Sequence, residues 1–152
     1  MRAESKKRIR AAGRVIFVLY IAGMIYFLFF AESLGRNIVT SEYSYNLTPF
    51  KEITRFIRYA DLLGWQAVLL NLLGNVLAFL PLGAVLPVIK PGFKAGTVFA
   101  VCTGASLAVE LLQLATKRGS FDIDDIILNV AGGMAGYLCF RAAKAVFARN
   151  SK

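Results

Sequence analysis

From Leu62 to Leu86 the chain runs for 25 residues without a charged side chain. A helix of that length is long enough to cross a bilayer, and a helix is one of the few structures that satisfies its own backbone there. Inside the run lies Asn71 to Gly83, which carries two asparagines and Pro81. Asn71 and Asn75 are four residues apart and share one helix face, which Phe79 extends by another turn. Pro81 donates no backbone hydrogen bond and is expected to kink the helix or open it locally. Polar side chains in an apolar run are costly unless other groups answer them.

Three further apolar runs complete the pattern. The first is Val15 to Ala31, whose 17 residues give a helix of roughly 26 Å. It follows a basic segment, as a signal peptide would. Its length, its Phe and Tyr content and the lack of a small-x-small cleavage site favour a retained span. The third run is Ala95 to Ala115, and the fourth opens at Asp124-Asp125 and continues to Phe140. Acids in that first turn suit the positive end of the helix dipole. Trp65 is placed as an interfacial anchor of the second span.

Composition agrees. The chain has 152 residues, 57% of them hydrophobic, and a mean hydropathy of +0.59. That suits one integral membrane domain rather than a soluble one. The net charge of +9 sits in blocks that flank the spans, which argues against a nucleic-acid partner. Cys102 and Cys139 lie within apolar runs and read as packing residues, not as a disulfide. There is no histidine, so His-dependent triads, H-E-x-x-H zinc sites and imidazole acid–base chemistry are excluded.

The expected architecture is therefore all-α: an integral membrane bundle of four transmembrane helices. Residues 1–14 form a basic N-terminus, 15–140 the membrane domain and 141–152 a basic C-terminus. Between the first two spans, Thr48-Pro49 reads as a helix start, with Thr48 as N-cap and Pro49 at the first helical position. Phe50, Ile53, Phe56 and Ile57 then recur at helical spacing among Lys51, Glu52, Arg55 and Arg58. This short amphipathic helix belongs either on the membrane surface or over the end of the bundle. Asn46-Leu47-Thr48 matches a glycosylation sequon only weakly, because Pro49 follows it.

Lysine and arginine counts set the orientation. With the N-terminus inside, the inner segments hold 12 basic residues and the outer loops hold 6, accompanied by seven acids. Both termini are thus expected in the cytoplasm of a multi-pass protein of the cytoplasmic membrane. On that arrangement Asn71, Asn75, Glu110, Gln113, Asp125 and Asn129 converge in the outer leaflet, beneath the loop bearing Arg118 and Asp122, which complete the candidate pocket. An intramembrane carboxylate costs about 2.5–3.5 kcal/mol at a helix centre, less near the interface. Glu110 must therefore face a wet cavity, pair with a cation or take a proton, and Arg118 is the nearest base. Two arrangements fit: a polar clamp that fixes helix packing, or a polar pocket open to the outer surface. Gly132 and Gly136 form a G-x-x-x-G on the fourth span, which reads as tight helix packing.

These residues together resemble the VanZ-like family of small bacterial membrane proteins. The likeness is carried by Asn71, Asn75, Phe79, Pro81 and Gly83, then Glu110, Gln113, Arg118, Asp122, Asp125, Asn129, Gly132 and Gly136. The Asn46-Leu47-Thr48-Pro49-Phe50 stretch also matches, and the similarity covers roughly residues 15–140. The family takes its name from a protein linked to resistance to the lipoglycopeptide teicoplanin. The resemblance implies a cell-envelope membrane protein in which the outer polar residues engage membrane lipid, a lipid-linked cell-wall precursor or the lipoglycopeptide. In that reading Asn71, Asn75, Gln113 and Asn129 supply hydrogen bonds and Arg118 pairs with an anionic group. No catalytic residue, cofactor or resident metal is called for.

Two other functions compete. An enzyme acting on a lipid-linked substrate would use Glu110, Asp122 and Asp125 as acid, base or ligands of a hard divalent cation. No nucleophile stands out, since Ser120 lacks a G-x-S-x-G or Ser-Lys context. A transporter or channel would need an oligomer to form a pore, and the charge pattern marks no path through the inner half.

Overall fold

The computed structural model describes residues 3–30 and 42–149. Four long helices dominate them: α1 (Ala3–Phe30), α4 (Trp65–Ile89), α5 (Ala95–Thr116) and α6 (Ile123–Arg149). Two short helices, α2 (Lys51–Arg58) and α3 (Ala60–Leu63), lead into α4. Two strands of two residues each, β1 (Tyr45–Asn46) and β2 (Phe121–Asp122), pair in parallel. The described residues are thus mostly helical, as the long apolar runs lead one to expect, with one small ladder that the runs do not announce.

Three helices are long and apolar enough to cross a membrane: α4, α5 and α6. Only 22%, 33% and 28% of their most apolar windows are buried within the protein. Leu69, Leu70, Leu73 and Leu77 on α4, and Phe99, Leu107, Leu111 and Leu112 on α5, remain exposed. An apolar surface on that scale needs a non-aqueous partner. The helix α1 carries a shorter apolar segment, Ala11–Tyr26, so the expected count of four spans stands at three, plus one shorter apolar helix among the described residues.

The bundle is organised around the pairing of α4 with α6. The helix α5 packs on α6, and α1 lies along α4. The central core holds Phe79, Leu82, Val98, Cys102 and Tyr137. Glycines permit the α4–α6 approach. A Cβ on Gly132 would lie 2.1 Å from the Val76 carbonyl oxygen, one on Gly136 1.9 Å from that of Leu80, and one on Gly83 1.7 Å from that of Gly133. No side chain fits at those separations, so the backbones themselves are in contact. The G-x-x-x-G pair expected to pack tightly does so, and Gly83 completes the seam from the other helix.

The helix α4 passes through both Pro81 and Pro87 without interruption. It begins at Trp65, which is exposed. Pro81 has no N–H to give to the carbonyl one turn before it, that of Leu77. Tyr20 of α1 donates its hydroxyl to the next carbonyl along, that of Ala78, and so ties α1 to α4 beside the gap in the ladder.

The two ends of the bundle differ in charge. At one end meet the C-terminus of α4, with Lys90, the start of α5, with Lys94, and the last turns of α6, with Arg141 and Lys144. Gly13 of α1 sits against Val88 and Ile89 there. At the other end lie the ladder, α2, α3 and the first turn of α6, with Asp122, Asp124 and Asp125.

Candidate functional site

The polar cluster grows from the acids that open α6. Asp122 precedes the helix, and its Oδ1 accepts the Asp124 N–H at 2.8 Å, which makes Asp122 the side-chain cap of α6. The same oxygen accepts the Asn46 amide at 3.0 Å. Asn46 in turn accepts the Thr48 N–H at 3.2 Å. The ladder pairs Asn46 with Asp122 and Tyr45 with Phe121, so two segments 76 positions apart are joined by backbone and side chain together.

Glu110 reaches the same point from α5. Its Oε2 accepts the Asp122 N–H at 2.9 Å, and the side chain is only 1% exposed. One turn earlier on α5, Ser106 accepts the Asn129 amide at 2.9 Å. The Asn129 Oδ1 is buried with no hydrogen-bond partner. On α4, Asn75 donates to Asp125 Oδ1 at 2.5 Å. Gln113 is buried beneath the α5–α6 loop, with Gly119 folded against its side chain. That loop turns at Lys117, in the left-handed conformation (φ 54°), where the Arg118 N–H returns to the Gln113 carbonyl at 3.2 Å. Such a return bond closes the helix end. The Lys117 ammonium lies 4.6 Å from the Tyr43 ring centre, a second tie between the loops.

Asp124 has the most consequential position. It is 1% exposed, and its carboxylate accepts three backbone N–H groups of another segment: Phe50 at 2.5 Å, Glu52 at 2.8 Å and Ile53 at 3.2 Å. Those are the orphan donors at the start of α2. An anion at a helix N-terminus answers both the unpaired amides and the dipole. Asp124 therefore caps α2 from the first turn of another helix.

This corrects the expectation for Thr48. The helix begins at Lys51, its N-cap is Phe50 (φ 63°), and no side chain of its own segment caps it. Thr48 contributes only its carbonyl, 3.4 Å from the Lys51 N–H. The local cap loses to a carboxylate from α6, which can accept several amides at once.

Of the residues singled out in the sequence, the structure brings together Asn75, Glu110, Gln113, Asp122, Asp125 and Asn129, with Arg118 half-buried in the adjoining loop. Asn71 stands apart: it is exposed, and its amide returns to the Ala67 carbonyl of its own helix at 2.8 Å. Three members of the cluster escape the sequence reading. Asn46 stands out there only within a weak sequon and the family's pre-span stretch, Asp124 only as a first-turn acid of its own helix, and Ser106 not at all. Ser106 lies one turn before Glu110, and that spacing is the available signal.

Among the described residues, no group of three or more acids or cysteines is arranged to hold a metal ion. Glu110 and Asp122 direct carboxylate oxygens at backbone and amide donors. Among the described residues, the three acids are therefore not gathered as the cation ligands that one form of the enzyme reading would use.

The VanZ/LLP1 family profile matches residues 17–146. A curated relative, Protein VanZ of Enterococcus faecium, is 30% identical over 127 residues, which cover 81% of this chain and 70% of the relative. No solved structure matches.

Proposed function

The chain belongs to the VanZ/LLP1 family, and from that premise we propose that it is a non-enzymatic membrane protein of glycopeptide resistance. Its acidic end faces the cell exterior, both termini are cytoplasmic, and α1 supplies a fourth span. The partition of Lys and Arg supports this orientation. The polar cluster at the outer end holds a recognition surface in place. That surface consists of α2, lying at the membrane interface, and the Arg118 loop.

The observation that carries the proposal is the Asp124 carboxylate at the start of α2. It fixes a short helix whose Lys51, Arg55 and Arg58 are exposed and whose Ile53 and Phe56 turn partly inward. Basic and apolar groups are thereby presented side by side at the rim of an apolar bundle. A lipid-linked cell-wall precursor, or a lipoglycopeptide with its acyl tail in the membrane, offers the complementary chemistry. Arg118 would pair with its anionic group. The buried Glu110, Asp122 and Asn129 serve as positioning residues beneath it.

The test is drug susceptibility in a sensitive Gram-positive host that expresses the protein. Teicoplanin resistance should rise, while a glycopeptide without an acyl tail should show little change. Arg118→Ala and Glu110→Ala should abolish the gain at unchanged membrane abundance. Full resistance in both well-expressed variants would overturn the proposal.

A further inference from the structure

We propose that the groove at the basic end of the bundle is a binding site for the phosphate head group of an anionic phospholipid. The groove is a cavity of about 530 Å³ between the α4–α5 turn and the last turns of α6. It lies at the opposite end from the polar cluster and shares no residue with it. Lys94, Arg141 and Lys144 line it together with Phe93, Tyr137 and Phe140. Among the described residues, no acid lines it.

Three like charges around one cavity repel each other, and an anion placed among them relieves that repulsion. Arg141 is already oriented. Its Nη1 donates to the Tyr137 hydroxyl at 3.2 Å, and its guanidinium lies 6.0 Å from the Tyr137 ring centre. The other guanidinium donors keep the planar geometry that matches a phosphate. Outside the lining itself, the Lys90 ammonium lies 5.4 Å from the ring centre of Phe93, a lining residue, and adds a fourth positive charge. The start of α5, which follows Lys94, receives no side-chain cap. Its dipole contributes in the same direction.

The occupant is a lipid and not a free anion because the cations and the apolar surface are continuous. Three aromatic side chains line the cavity beside the cations, and α6, which supplies most of the lining, also exposes Leu138 and Phe147. A phospholipid carries its phosphate and its acyl chains in one molecule and so offers both kinds of contact. Basic pockets between membrane helices are known to take such head groups.

The experiment is a titration of the full-length protein in detergent, with native mass spectrometry as the readout. The probes are short-chain phosphatidylglycerol, phosphatidylcholine of the same chain length, and inorganic phosphate. Phosphatidylglycerol should bind at least about tenfold more tightly than phosphatidylcholine, and inorganic phosphate should neither bind nor compete at millimolar concentration. Arg141→Ala and Lys144→Ala should each weaken phosphatidylglycerol binding about fivefold. Arg141→Lys should recover part of the loss. Arg149→Ala removes one positive charge outside the groove and should leave binding unchanged.

Equal binding of the two lipids would overturn the proposal, as would equal losses in Arg149→Ala and Arg141→Ala. Inorganic phosphate that competes at parity would assign the groove to a free phosphoanion, which also overturns it. Lys144 is exposed, so Lys144→Ala keeps the test valid if Arg141→Ala fails to fold.

Discussion

Replacing Asp124 by Ala should release α2 while leaving the bundle intact. The carboxylate accepts three backbone N–H groups at the start of that helix. Hydrogen bonds to a charged group contribute about 1.5–3 kcal/mol each when the partner is left without an alternative. Here the full sum does not apply. No residue of α2 is buried, so its freed amides can bond water once the helix lifts away. The expected cost is that of a strong cap plus the lost docking, about 2–3 kcal/mol. A change of about 2 kcal/mol corresponds to a roughly 30-fold shift in a local opening equilibrium. Hydrogen exchange read by mass spectrometry, in detergent or nanodiscs, measures it directly. Peptides spanning Lys51–Arg58 should exchange at least an order of magnitude faster, while those from the middle of α4 and α6 stay protected. Asp124→Asn keeps one acceptor oxygen and should fall between. Unchanged exchange in α2 would refute the capping argument. Equal loss of protection throughout the protein would show that Asp124 holds the bundle itself.

Other consequences follow from the same contacts. Gly132→Ala places a methyl 2.1 Å from the Val76 carbonyl oxygen and should lower thermal stability in detergent by several degrees. Gly104→Ala meets nothing within 4 Å and should be neutral or stabilising by up to about 1 kcal/mol, since Ala is the better helix former. Glu110→Leu leaves the Asp122 N–H without its acceptor and should cost about 1–3 kcal/mol, whereas Glu110→Gln retains an acceptor and should cost less; thermal unfolding of the pair checks both. Ser106→Ala and Asn129→Ala should be non-additive in a double-mutant cycle, because each removes the partner of the other.

The apolar runs, the basic flanks and the glycine pair determined most of the architecture, because they act through local and one-dimensional physics. A helix is long enough or it is not, and a glycine either permits a close approach or blocks it when replaced. The convergence of Asn75, Glu110, Asp125 and Asn129 was legible for the same reason: depth along a helix follows from residue count. Depth does not give azimuth relative to a neighbour, and here the tertiary structure decided. It turned Asn71 outward, to its own Ala67 carbonyl, while Asn75 one turn later met Asp125. It also paired Asn46 with Asp122 and gave the cap of α2 to Asp124 in place of Thr48. Those contacts join segments more than seventy positions apart. Their partners compete on geometry that exists only after the helices have packed, so no local pattern could rank a threonine just before a helix below a carboxylate from another one.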